Sequence, residues 1–520
     1  MKKKVVSCFC LLLATLFSAG AFSACYILSG ESNGSASTSD SSNSASSDSS
    51  SSASSDSSSS AAEDVLPSTV LTCAIEDNAY SHEWLSDIIA AFEAEHAEST
   101  FKDGEKGVRV ILKAEAYSSL NDINFCKNPR GANVTEVLTE KNIVEKLEFS
   151  PCARKGKYYT IPYLVDTYGI VYNADLFEEN GWKIPNTTTE LLALCEEMQG
   201  IAVPFISDGT GETACWEEAF NVWWGQYEGV QAYENFWDGV NADGAYSKDV
   251  FTQQGRLEAL KILEVCVQNE YLSSKSYGAN NTETQAVLEF LTSGNSKSRP
   301  PIAMIPYGET FGERARAYDS VVSLPKMGIM KVPVVSSIIT KCQTIADDTT
   351  LSAVIAAIDN GKTSYTGVSE KDFERVKAAR AVTGSTPILE IAVGEKSKDT
   401  QAVNAFLEFV VSETAFTLAA QNGVTPALKY TLTSSQKEGL NDLKQATLET
   451  LGTQKAVYLP LVTHKLLYDG GYRPFTLSAW NAMSAFRSGS KTAQGVYDET
   501  LAHYTQSVFE GHLLKAGLIP

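Results

Sequence analysis

From residue 65 onward the chain alternates short apolar runs with amphipathic stretches. Thr69-Val70-Leu71-Thr72-Cys73-Ala74-Ile75 is rich in strand-forming residues. Trp84, Leu85, Ile88, Ile89 and Phe92 then recur at helical spacing over 81–96. Val108-Arg109-Val110-Ile111-Leu112 alternates as a strand does, and strand, helix, strand at this spacing predicts a βαβ unit in a largely parallel sheet. Further on, Thr187 and Glu190 form a capping-box pair ahead of the stripe Leu191, Leu194, Cys195 and Met198. Val203–Ile206 reads as a short strand, and Ile302-Ala303-Met304-Ile305-Pro306 as a fully buried one. Amphipathic helices are expected near 212–227, 255–269 and 284–292, then over 400–421, 478–488 and 491–514, with Gly423 at a helix C′ position. The pattern is α/β.

The N-terminal end follows different rules. Lys2, Lys3 and Lys4 precede an uncharged apolar stretch from Val5 to Phe22, and Ser23-Ala24 lead into Cys25. This is the layout of an export signal over 1–24, with an uncleaved membrane anchor as the alternative. Phe22-Ser23-Ala24-Cys25 resembles a bacterial lipobox, with Phe22 where an aliphatic residue is usual. The resemblance implies lipidation at Cys25 and a membrane-held protein on the extracytoplasmic face. Residues 29–62 are nearly all Ser, Ala, Asp and Asn, so they cannot build a core and read as a tether. Roughly 33 such residues reach about 30 Å as a coil and about 110 Å fully extended. The remaining stretch, 65–520, is too long for one compact core and is expected to form two lobes.

Charge and cysteine usage narrow the partners. The formal net charge of −21 disfavours nucleic acid. Of ten cysteines, Cys8, Cys10 and Cys25 belong to the N-terminal segment, which leaves an odd number. None lies at a zinc-site spacing, so no metal or other cofactor is expected. Cys126 and Cys152 are one candidate disulfide, and Cys195 falls on an apolar helix face.

Within this frame, Gly156-Lys157-Tyr158-Tyr159-Thr160-Ile161-Pro162-Tyr163, Asp166–Asn173, Leu176-Phe177, Gly181-Trp182, Pro185 and Thr187–Leu192 resemble the family 1 extracellular solute-binding proteins, the maltose-binding-like class. Ile302–Glu309, Ala402–Phe409 with Ala420–Ala427, and Lys326-Met327-Gly328 through Gly361 extend the resemblance. It implies a periplasmic-binding-protein-like type II fold, two α/β lobes with a ligand cleft and hinge crossovers. Lobe one would comprise about 68–165 and 300–385, and lobe two about 166–299 and 386–520. Hinges would fall near Asp166-Thr167, Arg299-Pro300 and Gly384–Glu390. Between Ala114 and Gly156 the chain is shorter than the family pattern, so part of the first lobe's ligand wall is expected to be missing or rebuilt.

A saccharide site needs aromatic platforms and a few fixed polar groups. The candidates are Glu76, Asp77, Tyr80, Asp166, Trp216, Tyr307, Glu309, Tyr472 and Arg473, each weighed against ordinary packing or pairing. Trp223 and Trp224 read as core. The implied function is capture of a carbohydrate by a lipid-anchored monomer, which delivers it to the permease of an ABC importer by hinge closure. The alternatives are a receptor for a non-sugar solute, a sensory receptor, and a surface glycoside hydrolase. The chain has five His and no G-x-S-x-G, H-E-x-x-H or P-loop motif, so the expectation is a non-enzyme.

Overall fold

The computed structural model describes residues 67–520, apart from 77–81, 128, 150, 152, 155, 208–214, 278–280, 296–298, 317, 319–321, 441, 452–454, 459–465 and 467–478. The export signal, the tether, Cys25 and Cys152 lie outside the described residues. Residues 65–520 form one compact unit.

Its strands are β1 (Thr69–Ile75), β2 (Val108–Ala114), β3 (Ile123–Cys126), β4 (Ala153–Arg154), β5 (Lys157–Tyr158), β6 (Ile161–Asn173), β7 (Val203–Phe205), β8 (Ile302–Gly308), β9 (Met327–Met330), β10 (Val382–Val393) and β11 (Lys455–Tyr458). Nine of them make one mixed sheet in the order β2-β1-β3-β10-β6-β8-β7, with β11 beside β10 and β9 beside β6. The expected opening unit is present: β1 and β2 pair in parallel, and the helix Glu83–Glu95 buries Trp84, Leu85, Ile88, Ile89 and Phe92.

Two long strands do the structural work of joining the lobes. β6 has 13 residues and β10 has 12, and they run antiparallel through both lobes. In the first lobe β10 pairs with β3, and in the second β6 pairs with β8 and β9 and β10 with β11. Midway, Asp166 lies opposite Thr386 and Val165 opposite Pro387, after which the register shifts on both sides of Leu389. Proline removes a ladder donor and a bulge bends its strand, so the ribbon is weakest where the lobes meet. This supports crossings at Asp166-Thr167 and Gly384–Glu390.

The cores correct the expected lobe membership. One core unites Leu71–Phe92, Val108–Leu164 and Leu389–Leu428. Two others unite Ile170–Leu291 with Ile302–Val382 and with residues of the last 80 or so positions. Residues 300–385 thus pack with the second lobe, because β8 and β9 pair with the far half of β6. The return to the first lobe is made by 388–432. Arg299-Pro300 leads into β8 within the second lobe and is no hinge.

The shortened stretch of lobe one is rebuilt as β3 and two small helices, Thr135–Glu140 and Ile143–Lys146. The outer face of β1 and β2 leaves Val70 and Ile111 exposed at 46% and 40%. The helix Thr188–Met198 is capped as expected by Thr187, but Glu190 reaches the amide of Asn186 rather than closing the box on Thr187. Gly423 takes a left-handed φ of 77°, as a C′ residue does. Among the described residues, no single helix is long and apolar enough to cross a membrane.

Candidate functional site

Strand directions point to where a ligand would lie. β1 and β3 run toward lobe two, while β7 and β8 run toward lobe one, so their carboxyl ends converge on the crossing strands. In open α/β sheets ligands bind outside such carboxyl ends. The carboxyl ends carry Glu76 and Lys127 from lobe one and Glu309 and Thr310 from lobe two, and Asp166 lies on the crossing strand against Thr310. Glu76 accepts the Lys127 amide at 2.7 Å, which fixes the loop after β1 against the loop after β3.

The crossing strands divide the crevice into two sides, because side chains alternate. On one side lies a cavity of about 890 Å³, floored by Val165, Thr167, Thr383 and Ser385. Its walls are Glu148 and the Pro426–Leu432 loop from lobe one, and Glu309, Thr447 and Leu451 from lobe two. Glu309 is held by the Lys444 ammonium at 2.8 Å. Glu148 lines the cavity at the lip of lobe one, where loss of water around its carboxyl, then the charge of Glu309, raises it above the ordinary range. Two carboxyls therefore face each other across the lobe boundary.

The other side carries Asp166, which is buried. Its Oδ1 accepts the Thr310 amide at 3.1 Å and its Oδ2 the Thr310 hydroxyl at 2.6 Å. The hinge-region hydrogen bond weighed for Asp166 is thus present, tying the first crossing strand to the loop after β8. Gly308 permits the approach, since a Cβ there would overlap the Asp166 carboxylate. Burial, then Glu309, pushes the Asp166 carboxyl up to about 7. Beyond it, Glu218 on the helix Cys215–Glu228 is also buried, beneath Gly384 of β10.

Several expected site residues are placed elsewhere. Trp216 packs edge-on against Phe205 in the second-lobe core and offers no open aromatic face. Tyr307 points into another core, edge-on to Phe311, with its hydroxyl on Glu283. Both are corrected from ligand platforms to packing residues, because alternation along β8 and the helix periodicity turn them inward. Trp223 and Trp224 are core, as read. Glu309 pairs with Lys444. Asp77, Tyr80, Tyr472 and Arg473 lie outside the described residues. Lys444 and Glu218 were not singled out beforehand. Cys126 is a buried free thiol. No group of His, Cys, Asp and Glu among the described residues could hold a metal ion.

Residues 123–297 match the family described as bacterial extracellular solute-binding protein. That segment is similar to solute-binding receptors. It spans β3, the first crossing strand, β7 and the helix that carries Glu218. No curated protein matches the sequence. The fold is that of solved solute-binding proteins. One is a structure from work on xylan utilization by Caldanaerobius polysaccharolyticus, 14% identical over 84% of this chain and 100% of that one, TM-score 0.55. A chitin oligosaccharide binding protein is 15% identical, covering 86% and 99%, TM-score 0.54. Lmo0181 of Listeria monocytogenes, an ABC substrate-binding protein in complex with cycloalternan, is 14% identical, covering 86% and 99%, TM-score 0.51. The matched family is one of extracellular binding proteins.

Proposed function

We propose that this receptor captures a saccharide between its two lobes, closes over it by bending the crossing strands, and presents it to the permease of an ABC importer. The supporting observation is the convergence of four strand ends on a ribbon that spans both lobes and is broken in register at Pro387–Glu390. A ligand gripping both lobes there gains contacts only in the closed form, and that difference in affinity is what shifts the open–closed balance. Glu76 would serve from lobe one and Asp166 and Glu309 from the crossing and lobe two, with Asp77, Tyr80, Tyr472 and Arg473, outside the described residues, as further candidates. Hydroxyl donors of a sugar suit such carboxylates, and the solved neighbours include proteins titled for chitin oligosaccharide, raffinose and cycloalternan. Anchoring through Cys25 and the serine-rich tether would keep the monomeric receptor at the membrane.

Titration calorimetry against a panel of neutral and amino oligosaccharides tests this. Binding without turnover supports the receptor, product formation would make it an enzyme, and binding only of non-sugar solutes would refute the saccharide reading.

A further inference from the structure

On the Asp166 side of the crossing strands, the first turns of the helix Cys215–Glu228 bury polar atoms that have no hydrogen-bond partner among the described residues. They are Trp216 Nε1, Asn221 Oδ1 and both carboxyl oxygens of Glu218. Glu218 is only 1% exposed. It is directed at the crossing: a Cβ on Gly384 would stand 2.5 Å from its Oε2, and its charge is coupled to Asp166. Burial first, then Asp166 and Glu217, raises its carboxyl well above the usual range.

The cations nearby make their contacts elsewhere. Lys444 bonds Glu309, and its charge is the weakest of the influences on Asp166, while the charge of Arg256, buried in the same lobe, is felt by Tyr497, Tyr504 and Glu217. Asp166 accepts two hydrogen bonds from Thr310, but both donors are neutral. Two carboxyls thus lie together out of water, Glu218 without a donor and neither with a countercharge in contact. A buried carboxylate is tolerated when a positive donor reaches it. Without a cation such buried carboxyls keep their protons, whereas an ammonium brought into contact supplies both the donor and the countercharge that let them ionise, which neutral hydroxyls do not.

We propose that the captured solute presents a cationic amino group to Asp166 and Glu218, so that the receptor selects amino saccharides over their acetylated or neutral counterparts. This rests on the reading of the crevice as a saccharide site. Glu218 is then a specificity-determining residue, and Gly384 and Gly308 are kept small so that both carboxyls can lie against the crossing strands.

The test uses the full chain and three probes of equal length: a β-1,4-linked glucosamine oligosaccharide, its N-acetylated form, and a cello-oligosaccharide. Calorimetry is run where the amine is charged, at two salt concentrations. At least tenfold tighter binding of the amino form, weakened by salt, is expected, and Glu218→Gln should shrink that advantage. Equal or tighter binding of the acetylated or neutral probe overturns the inference while leaving the saccharide reading intact. Failure of all three to bind overturns the inference, and the wider oligosaccharide panel then decides the saccharide reading separately. The comparison of probes on the unaltered protein decides the matter even if the Gln variant does not fold.

Discussion

Lys444 sets its ammonium 2.8 Å from Glu309 Oε1 with both side chains under a tenth exposed, which pins the late helix Asp442–Leu451 to the loop after β8. Removing one partner of such a pair strands a buried charge, at a cost of about 3–5 kcal/mol. Lys444→Met should therefore lower the urea midpoint sharply, and Glu309→Gln in the same chain should restore part of the loss. Equal midpoints for the single variant and the parent would show that the pair contributes nothing.

Gly308 is irreplaceable for a different reason. Its Cβ would fall on the Asp166 carboxylate, and overpacking of this kind costs about 1–3 kcal/mol. Gly308→Ala should destabilise the parent, and much less so an Asp166→Ala background. Additive losses in the double variant would contradict the contact.

The pH dependence has a definite sign. Folded Asp166 titrates at about 7, against an ordinary value of 3.8, because burial and then Glu309 disfavour its charge. Between those values the folded chain keeps a proton that the unfolded chain has lost. Stability from this group is thus whole below about 4 and is lost as pH rises to about 7. Glu218 is shifted the same way. Denaturation midpoints of Asp166→Asn should fall less steeply across that window than those of the parent. Parallel curves would refute the assignment.

Thiol chemistry probes the cores. Cys73, Cys126, Cys195 and Cys266 are buried, and burial raises each thiol above its ordinary value, that of Cys126 to about 12. Cys342 is half-buried and only moderately raised. Of these five, Cys342 should react first with a thiol reagent under native conditions, and Cys342→Ser should remove one equivalent of the early phase. Early labelling of Cys195 or Cys266 would contradict the second-lobe core.

How much of this could be read beforehand depended on how local the cause was. The helix after β1 declares itself because Trp84, Leu85, Ile88, Ile89 and Phe92 follow one face. The crossing at Asp166-Thr167 was legible from the motif around Tyr163 and Tyr168. The lobe assignment of 300–385 was not, since it depends on β8 and β9 pairing with the distant second half of β6. Lys444 looks like any surface lysine until the fold brings Glu309 to it. Glu218 was hidden differently: two acids in the first turn of a helix read as complements to its dipole, and only the Gly384 contact shows that the second one is buried. Trp216 and Tyr307 carried a plausible chemistry, but a large aromatic at helical or strand spacing is as good a core residue, and here the core prevails.

The central claim is closure of two lobes about the β6–β10 ribbon. Small-angle scattering of the full chain, free and saturated with an oligosaccharide shown to bind by calorimetry, tests it most directly. The account predicts a smaller radius of gyration in the bound state. Superimposable profiles at full saturation would contradict it.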